Sequence, residues 1–167
     1  MLDWIAVPSP IGPLGVATDG AGIRAIQFAG PPPNAPLSPA GAAVLGTAAE
    51  QLAEYFAGAR TGFALPLAGT GGTDFERAIW ARIAAIPYAE MVTYGEIAAQ
   101  VGEPDAARAV GMACNRNPLS IMVPCHRVVG AGGKLVGFGG GLPLKRRLLE
   151  LEARVRIERT FTDGGTR

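Results

Sequence analysis

Pro124-Cys125-His126-Arg127 joins one of the two cysteines in this 167-residue chain to its only histidine. A free thiol, with a pKa of about 8.5, is a weak nucleophile and becomes a strong one when a base or cation favours its thiolate. His126 is the one side chain here whose ordinary pKa falls in the neutral range, so it is the base available to Cys125. A bare Cys-His pair is more often a packed cysteine beside an incidental histidine, and the surrounding residues decide between the two readings. Cys114 has no neighbouring histidine and is read as a small packed side chain without chemistry. With one histidine and two cysteines a Cys/His zinc site is nearly excluded, and neither a metal nor a cofactor is expected.

These residues need elements to hold them. Short strands are expected at Trp4 to Val7, Leu14 to Ala17, Ile23 to Phe28 and Phe63 to Leu67, with Pro66 demoting the last to an edge. A helix is expected over Ala42 to Ala57, with Leu45, Leu52 and Phe56 on one face, and a proline-rich loop at 30–36. Gly69 to Gly72 reads as a linker. Thr73 and Glu76 then have capping-box spacing and open a helix that carries Phe75, Ile79, Ile83 and Ile86 and stops at Pro87. Thr93 and Glu96 repeat that spacing before a short helix through Ala99. A third helix runs from Asp105 to about Asn115, and the pair reads as a helix-turn-helix, a motif also common in ordinary cores. In the third helix Arg108 is one long cation among small side chains, with none of the Asn, Gln or multiple Arg expected of a major-groove reader. Close docking in a minor groove and tight packing in a core both fit that composition.

A hydrophobic fraction of 49% supplies one sizeable core or two small ones. No apolar run approaches a membrane span and the first residues do not resemble a signal peptide, so a cytoplasmic protein with reduced thiols and no membrane partner is expected. The net charge is only +1. Its distribution is uneven: residues 1–89 hold four Arg/Lys against six Asp/Glu, and residues 90–167 hold eleven against eight. The second half is therefore the better candidate for a polyanionic partner.

Around the Cys-His pair run Arg108-Ala109-Val110-Gly111, Asn117-Pro118 and Ile121 through Gly130. Upstream lie Thr73-Asp74-Phe75, Trp80, Ile86-Pro87-Tyr88 and Thr93 through Ala98; downstream lie Gly137-Phe138, Gly140-Gly141-Leu142, Lys145 and Leu148 through Glu152. Over roughly half its length the chain closely resembles the O6-alkylguanine-DNA alkyltransferase family, the DNA repair proteins spent in a single reaction. That resemblance implies an α+β fold: a ribonuclease H-like N-terminal lobe at 1–70, a mostly helical DNA-binding and alkyltransferase domain at 73–157, and a flexible tail at 158–167.

It further implies that Cys125 attacks the alkyl carbon on guanine O6, that His126 deprotonates it through a bridging water, and that Glu152 holds the imidazole. Tyr94 would crowd the phosphate and give a hydrogen bond to the leaving base, together with backbone N–H groups at 137–141. Arg108 would be the finger filling the space of a base rotated out of the stack, with Ala107, Thr93 and Arg116 also on the DNA. Asn117 would be the hinge between the recognition helix and the active-site segment. Met112, Pro118, Val128, Phe138 and Gly139 would line the pocket, with Phe138 standing where the family usually has Tyr. The partner implied is double-stranded DNA carrying O6-alkylguanine, entered from the minor groove by a monomer, with side-by-side binding left open. Lys145-Arg146-Arg147 could touch phosphate or stabilise their own helix. A lesion sensor without a nucleophile, a cysteine hydrolase and a non-catalytic helix-turn-helix binder, for which base-reading side chains and dimerisation features would be expected and are not evident, are the alternatives. The presence of Cys125 opposes the first, and the adjacency of Cys and His in sequence opposes the second.

Overall fold

A computed structural model describes residues 2–28, 30, 35–69 and 71–164. Most of the expected proline-rich loop, Thr70 of the expected linker and the last three residues fall outside that range. Three strands form an antiparallel meander: β1 (Asp3–Val7), β2 (Leu14–Thr18) and β3 (Ile23–Gln27). The centre strand β2 is buried along its whole length, which is why it reads as small and branched apolar residues. Helix α1 (Pro39–Phe56) is capped by Ser38, whose hydroxyl accepts from the Gly41 amide, and covers the sheet with Leu45, Ala48, Leu52 and Tyr55. Spacing predicted Phe56 on that face; the structure buries Tyr55 completely and leaves Phe56 half-buried.

The strand expected at Phe63 to Leu67 is reduced to a bridge between Leu67 and Ile23, with Ile23 N–H donating to Pro66 O at 2.9 Å. Pro66 has no N–H to offer a ladder, and the segment pairs through its carbonyls and the next amide instead.

Thr73 and Glu76 do form a reciprocal capping box at the start of α2 (Asp74–Ala84), which buries Ile79 and Ile83. Thr93 caps α3 (Tyr94–Gln100), its hydroxyl accepting from Glu96 N–H. Helix α4 (Ala107–Asn115) starts two residues later than expected and has no side-chain cap. Two very short strands, β4 (Val92–Thr93) and β5 (Val128–Val129), pair in parallel and join the start of α3 to the end of the Cys125 segment.

Helix α5 (Leu142–Gly164) brings Glu152 back beneath Cys125 to Arg127. The tail expected from residue 158 is helical through Gly164, with Arg159 reaching the Gly58 carbonyl at 3.0 Å and Thr160 bonding back to Arg156 O. Good helix formers with charges four apart, Arg154 and Glu158, extend it into solvent. One hydrophobic cluster runs unbroken from Val16 and Leu52 through Ile79, Ile97 and Val128 to Leu148, so both halves share a core. Among the described residues no helix is long and apolar enough to cross a membrane.

Candidate active site

The segment leading to Cys125 is fastened to both halves. Ile26 of β3 donates to Pro118 O at 2.8 Å, and Val123 N–H closes a turn onto Leu119 O at 2.8 Å. Inside that turn Ile121 is buried with φ of 74°, a conformation a branched residue adopts only where its surroundings hold it. Asn117 ties the turn to its neighbours: its Oδ1 accepts from Leu119 N–H at 2.9 Å, while its Nδ2 donates to Val123 O at 2.9 Å and to Cys125 Sγ at 3.1 Å. A short 3-10 turn, Cys125–Arg127, then points Cys125 and His126 in different directions.

Cys125 lines a cavity of about 460 Å³ whose wall includes Cys114, Asn117, Pro118, Phe138 and Gly139, closed on the far side by Phe28 after β3. Phe28 and Phe138 pack with ring centroids 5.4 Å apart. A side chain at Gly140 would meet the Phe28 ring at 2.8 Å, so this loop approaches as closely as it does because position 140 is glycine. The Cys125 thiol is pushed well up by its hydrogen bond with Cys114 and by burial, against the opposing pull of Asn117 and the Lys145 cation. It rests as a thiol, not as the ready thiolate that adjacency to His126 suggested. His126 does not offset these causes, because its Nε2 is bonded to Glu152.

Glu152 is the hub. It is wholly buried, and its Oε2 accepts from His126 Nε2 at 2.6 Å, Tyr55 Oη at 2.6 Å and Arg127 Nη2 at 3.0 Å. Its Oε1 accepts from Arg127 Nε at 2.8 Å and from Ala89 N–H at 3.1 Å. Burial works to raise this carboxyl, but the hydrogen bonds from His126 and Arg127 outweigh it and hold it well below the usual carboxylate range. Burial lowers the His126 pKa despite the carboxylate, so the ring is neutral near pH 7 with its proton on Nε2. Its Nδ1 is buried and has no hydrogen-bond partner among the described residues, which leaves a base atom uncommitted. Arg127 Nη1 also donates to Ile86 O at 2.8 Å, fixing the cation that balances Glu152.

Tyr94 sits at the edge of a second, larger groove of about 790 Å³ that also contains Thr93, Ala107, Arg108 and Met112. Its hydroxyl donates to Val136 O at 2.8 Å and accepts from Lys145 Nζ at 3.1 Å; burial pushes the phenol up, so it stays protonated. Lys145 is not the phosphate contact its sequence neighbourhood suggested. It is fully buried, its ammonium donating to the Val136 and Gly137 carbonyls and so pinning the glycine loop.

Cys125, His126, Glu152 and Asn117 are thus brought together, and Thr93, Tyr94, Ala107 and Arg108 share the open groove. Met112 lines that groove at 55% exposure and is absent from the Cys125 cavity wall. Val128 lines neither, because its place in β5 buries it completely in the core. Arg116 is exposed and turned toward Glu76, 3.5 Å away. Sequence reading missed Tyr55, the role of Arg127, and Cys114 as a neighbour of Cys125. No local signal marked the first, since Gln51 on the same buried face is also polar and Phe56 shares the spacing. No group of three metal-ligating side chains occurs among the described residues.

A family model described as 6-O-methylguanine DNA methyltransferase, DNA binding domain, matches residues 74–154, and one described as its ribonuclease-like domain matches residues 4–68. The chain is 47% identical to the methylated-DNA–protein-cysteine methyltransferase of Mycobacterium tuberculosis over 91% of this chain and 93% of that one. It is 44% identical to the Methanosarcina acetivorans protein of the same name, over 86% and 94% of the two chains. The crystal structure of Mycobacterium tuberculosis OGT in complex with DNA matches it with a TM-score of 0.81 at 43% identity, covering 92% of this chain and 94% of that one.

Proposed function

The chain belongs to the O6-alkylguanine-DNA alkyltransferase family, and from that membership we propose that it moves the alkyl group of O6-alkylguanine in duplex DNA onto its own Cys125, once per molecule. It is an enzyme of the methylated-DNA–protein-cysteine methyltransferase class, and repair by alkyl transfer on DNA is its activity. One observation carries the assignment of the nucleophile: a thiol in a cavity, beside a neutral histidine whose Nε2 is committed to a buried carboxylate and whose Nδ1 is uncommitted.

In this reading the Cys125 proton passes through a bridging water to His126 Nδ1, and Glu152 stabilises the imidazolium that forms. The thiolate attacks the alkyl carbon in line with the departing oxygen. The S–C bond forms as the C–O6 bond breaks, and the electron pair leaves on guanine. Tyr94 supplies the hydrogen bond that meets this charge by exchanging its Val136 carbonyl for the base, with Lys145 donating behind it. The thioether has no carbonyl for water to attack, so the protein is spent. O4-alkylthymine presents the same alkyl-oxygen bond and is the second substrate of this reading.

A base modified at its O6 edge is unreachable inside the stack and must be rotated out. Arg108, exposed on α4 beside Tyr94, fits the finger that takes the vacated place, and the small residues around it allow α4 close to a minor groove.

Intact-protein mass spectrometry after mixing with an O6-methylguanine duplex, followed by peptide mapping, tests the reading. One methyl added, on Cys125, with repair stopping at one lesion per protein is the expected result. Lesion binding without a mass change by reduced protein would favour a sensor, and repeated turnover would favour a hydrolase.

A further inference from the structure

Helix α1 belongs to the N-terminal half, and its buried face carries two polar side chains, Gln51 and Tyr55. Gln51 is satisfied within that half by the Ala64 backbone, whereas Tyr55 reaches out of it. Its ring is fully buried between Phe56, Phe63 and Tyr88, and its hydroxyl leaves that apolar setting to donate to Glu152 Oε2 at 2.6 Å. That oxygen is the one that receives His126 Nε2. A tyrosine serving only to fill space on α1 would need no hydroxyl, and burying a hydroxyl costs free energy unless it is bonded.

We infer that Tyr55 is a positioning residue for the transfer reaction, a donor from the N-terminal half that fixes Glu152 and tempers its pull on His126. The inference rests on the Cys125–His126–Glu152 reading above. Three donors share Oε2, and a lone pair drawn toward Tyr55 is less available to the imidazole N–H. With that hydroxyl present, the carboxylate orients the ring without making it so basic that Nδ1 is already protonated near neutral pH. Without it, Oε2 binds the imidazolium more strongly and the His126 pKa rises. The other charged groups acting on His126 are Arg127, which donates to both carboxylate oxygens, and Lys145, whose cation acts at longer range to keep the ring neutral. Helix α1 thereby has a part in the chemistry performed 70 residues further along the chain.

The test is the pH dependence of single-turnover transfer from an O6-methylguanine duplex, comparing wild type, Tyr55→Phe and Leu52→Val. Leu52 lies on the same buried face of α1 and has no polar atom to bond Glu152 or His126, so its variant reports on loosened packing alone. In Tyr55→Phe the acid limb of the rate profile is expected to move up by roughly half to one pH unit, so that the rate at pH 6 relative to pH 8 falls about 3- to 10-fold further than in wild type. Leu52→Val should lower the melting temperature and leave the limb in place. A Tyr55→Phe profile that superimposes on wild type, or an equal shift in Leu52→Val, would overturn the inference. Should Tyr55→Phe not fold, 3-fluorotyrosine incorporated at position 55 decides it: the more acidic phenol is a stronger donor and must move the limb down. Failure of the underlying reading looks different, since wild type would then acquire no methyl on Cys125 at all.

Discussion

The centre around Glu152 and the groove between α3 and α4 are built on opposite plans. Around Glu152, donors converge from α1, from the turn before β4 and from both His126 and Arg127 of the 3-10 turn, and the carboxylate and imidazole are both fully buried. Across the groove, Arg108 and Met112 stand exposed, and Arg108 makes no hydrogen bond among the described residues. A proton relay gains from groups fixed in advance, because reorganisation during the reaction adds to its barrier. In the function proposed above the groove receives DNA, and such a surface gains from a long side chain whose partners arrive with the ligand. The two regions meet at Tyr94 and the Val136–Gly137 carbonyls, pinned from behind by Lys145.

The sharpest way to break this contrast is Glu152→Gln, which leaves the buried Arg127 cation without its counter-charge. Removing one partner of such a pair is expected to destabilise the fold by about 3–5 kcal/mol, read by urea unfolding at pH 7, and to reduce transfer to near background. The acid profile carries the same signature. Because Glu152 is depressed in the folded protein, its contribution is complete above its ordinary value of 4.5 and is lost as pH falls from there through the folded value. His126, also depressed, must gain a proton on unfolding, so stability begins to fall below its ordinary 6.5. Wild type should therefore lose stability in two stages, and Glu152→Gln should retain the first and lack the second. A mutant with the wild-type acid profile would show that Glu152 is not the titrating hub.

Much of this centre was beyond sequence reasoning, and the reason is separation along the chain. The capping residues Thr73 and Thr93 act within three positions of their partners, so spacing alone located both helix starts. Cys125 and His126 stand out by scarcity. Tyr55 lies 97 residues from Glu152, and nothing local distinguishes it from Phe56 as the residue that goes inside. The two-residue strands β4 and β5 are too short for any alternation to show, yet they set where Tyr94 sits relative to Cys125. Lys145, followed by two arginines on a charged helix, reads as a surface cation. Its burial follows from how the glycine loop folds over it, a tertiary fact that helical periodicity does not carry.

The groove side responds in a different currency. Arg108→Ala removes no packing, so stability should be within about 0.5 kcal/mol of wild type. Repair of duplex should fall roughly 10- to 100-fold, while attack on free O6-methylguanine or O6-benzylguanine is unchanged, since only the duplex requires an extrahelical base to be held open. Parallel single-turnover assays on the two substrates decide this, and equal losses on both would sink the finger assignment.

The smallest effect expected is at Cys114, where the two plans touch. Its thiol lies between the end of α4 and the Cys125 cavity, and its hydrogen bond is the leading reason that Cys125 is held as a thiol. Cys114→Ala removes that contact and leaves Asn117 and Lys145 acting on Sγ in the opposite direction. The Cys125 pKa should then fall, and alkylation by iodoacetamide at pH 8 should quicken by roughly 2- to 5-fold, since rate follows thiolate fraction. The variant contains a single cysteine, so the adduct is unambiguous by mass. An unchanged rate would mean that burial, not the neighbouring thiol, keeps Cys125 protonated, and that its activation depends on the arriving base alone.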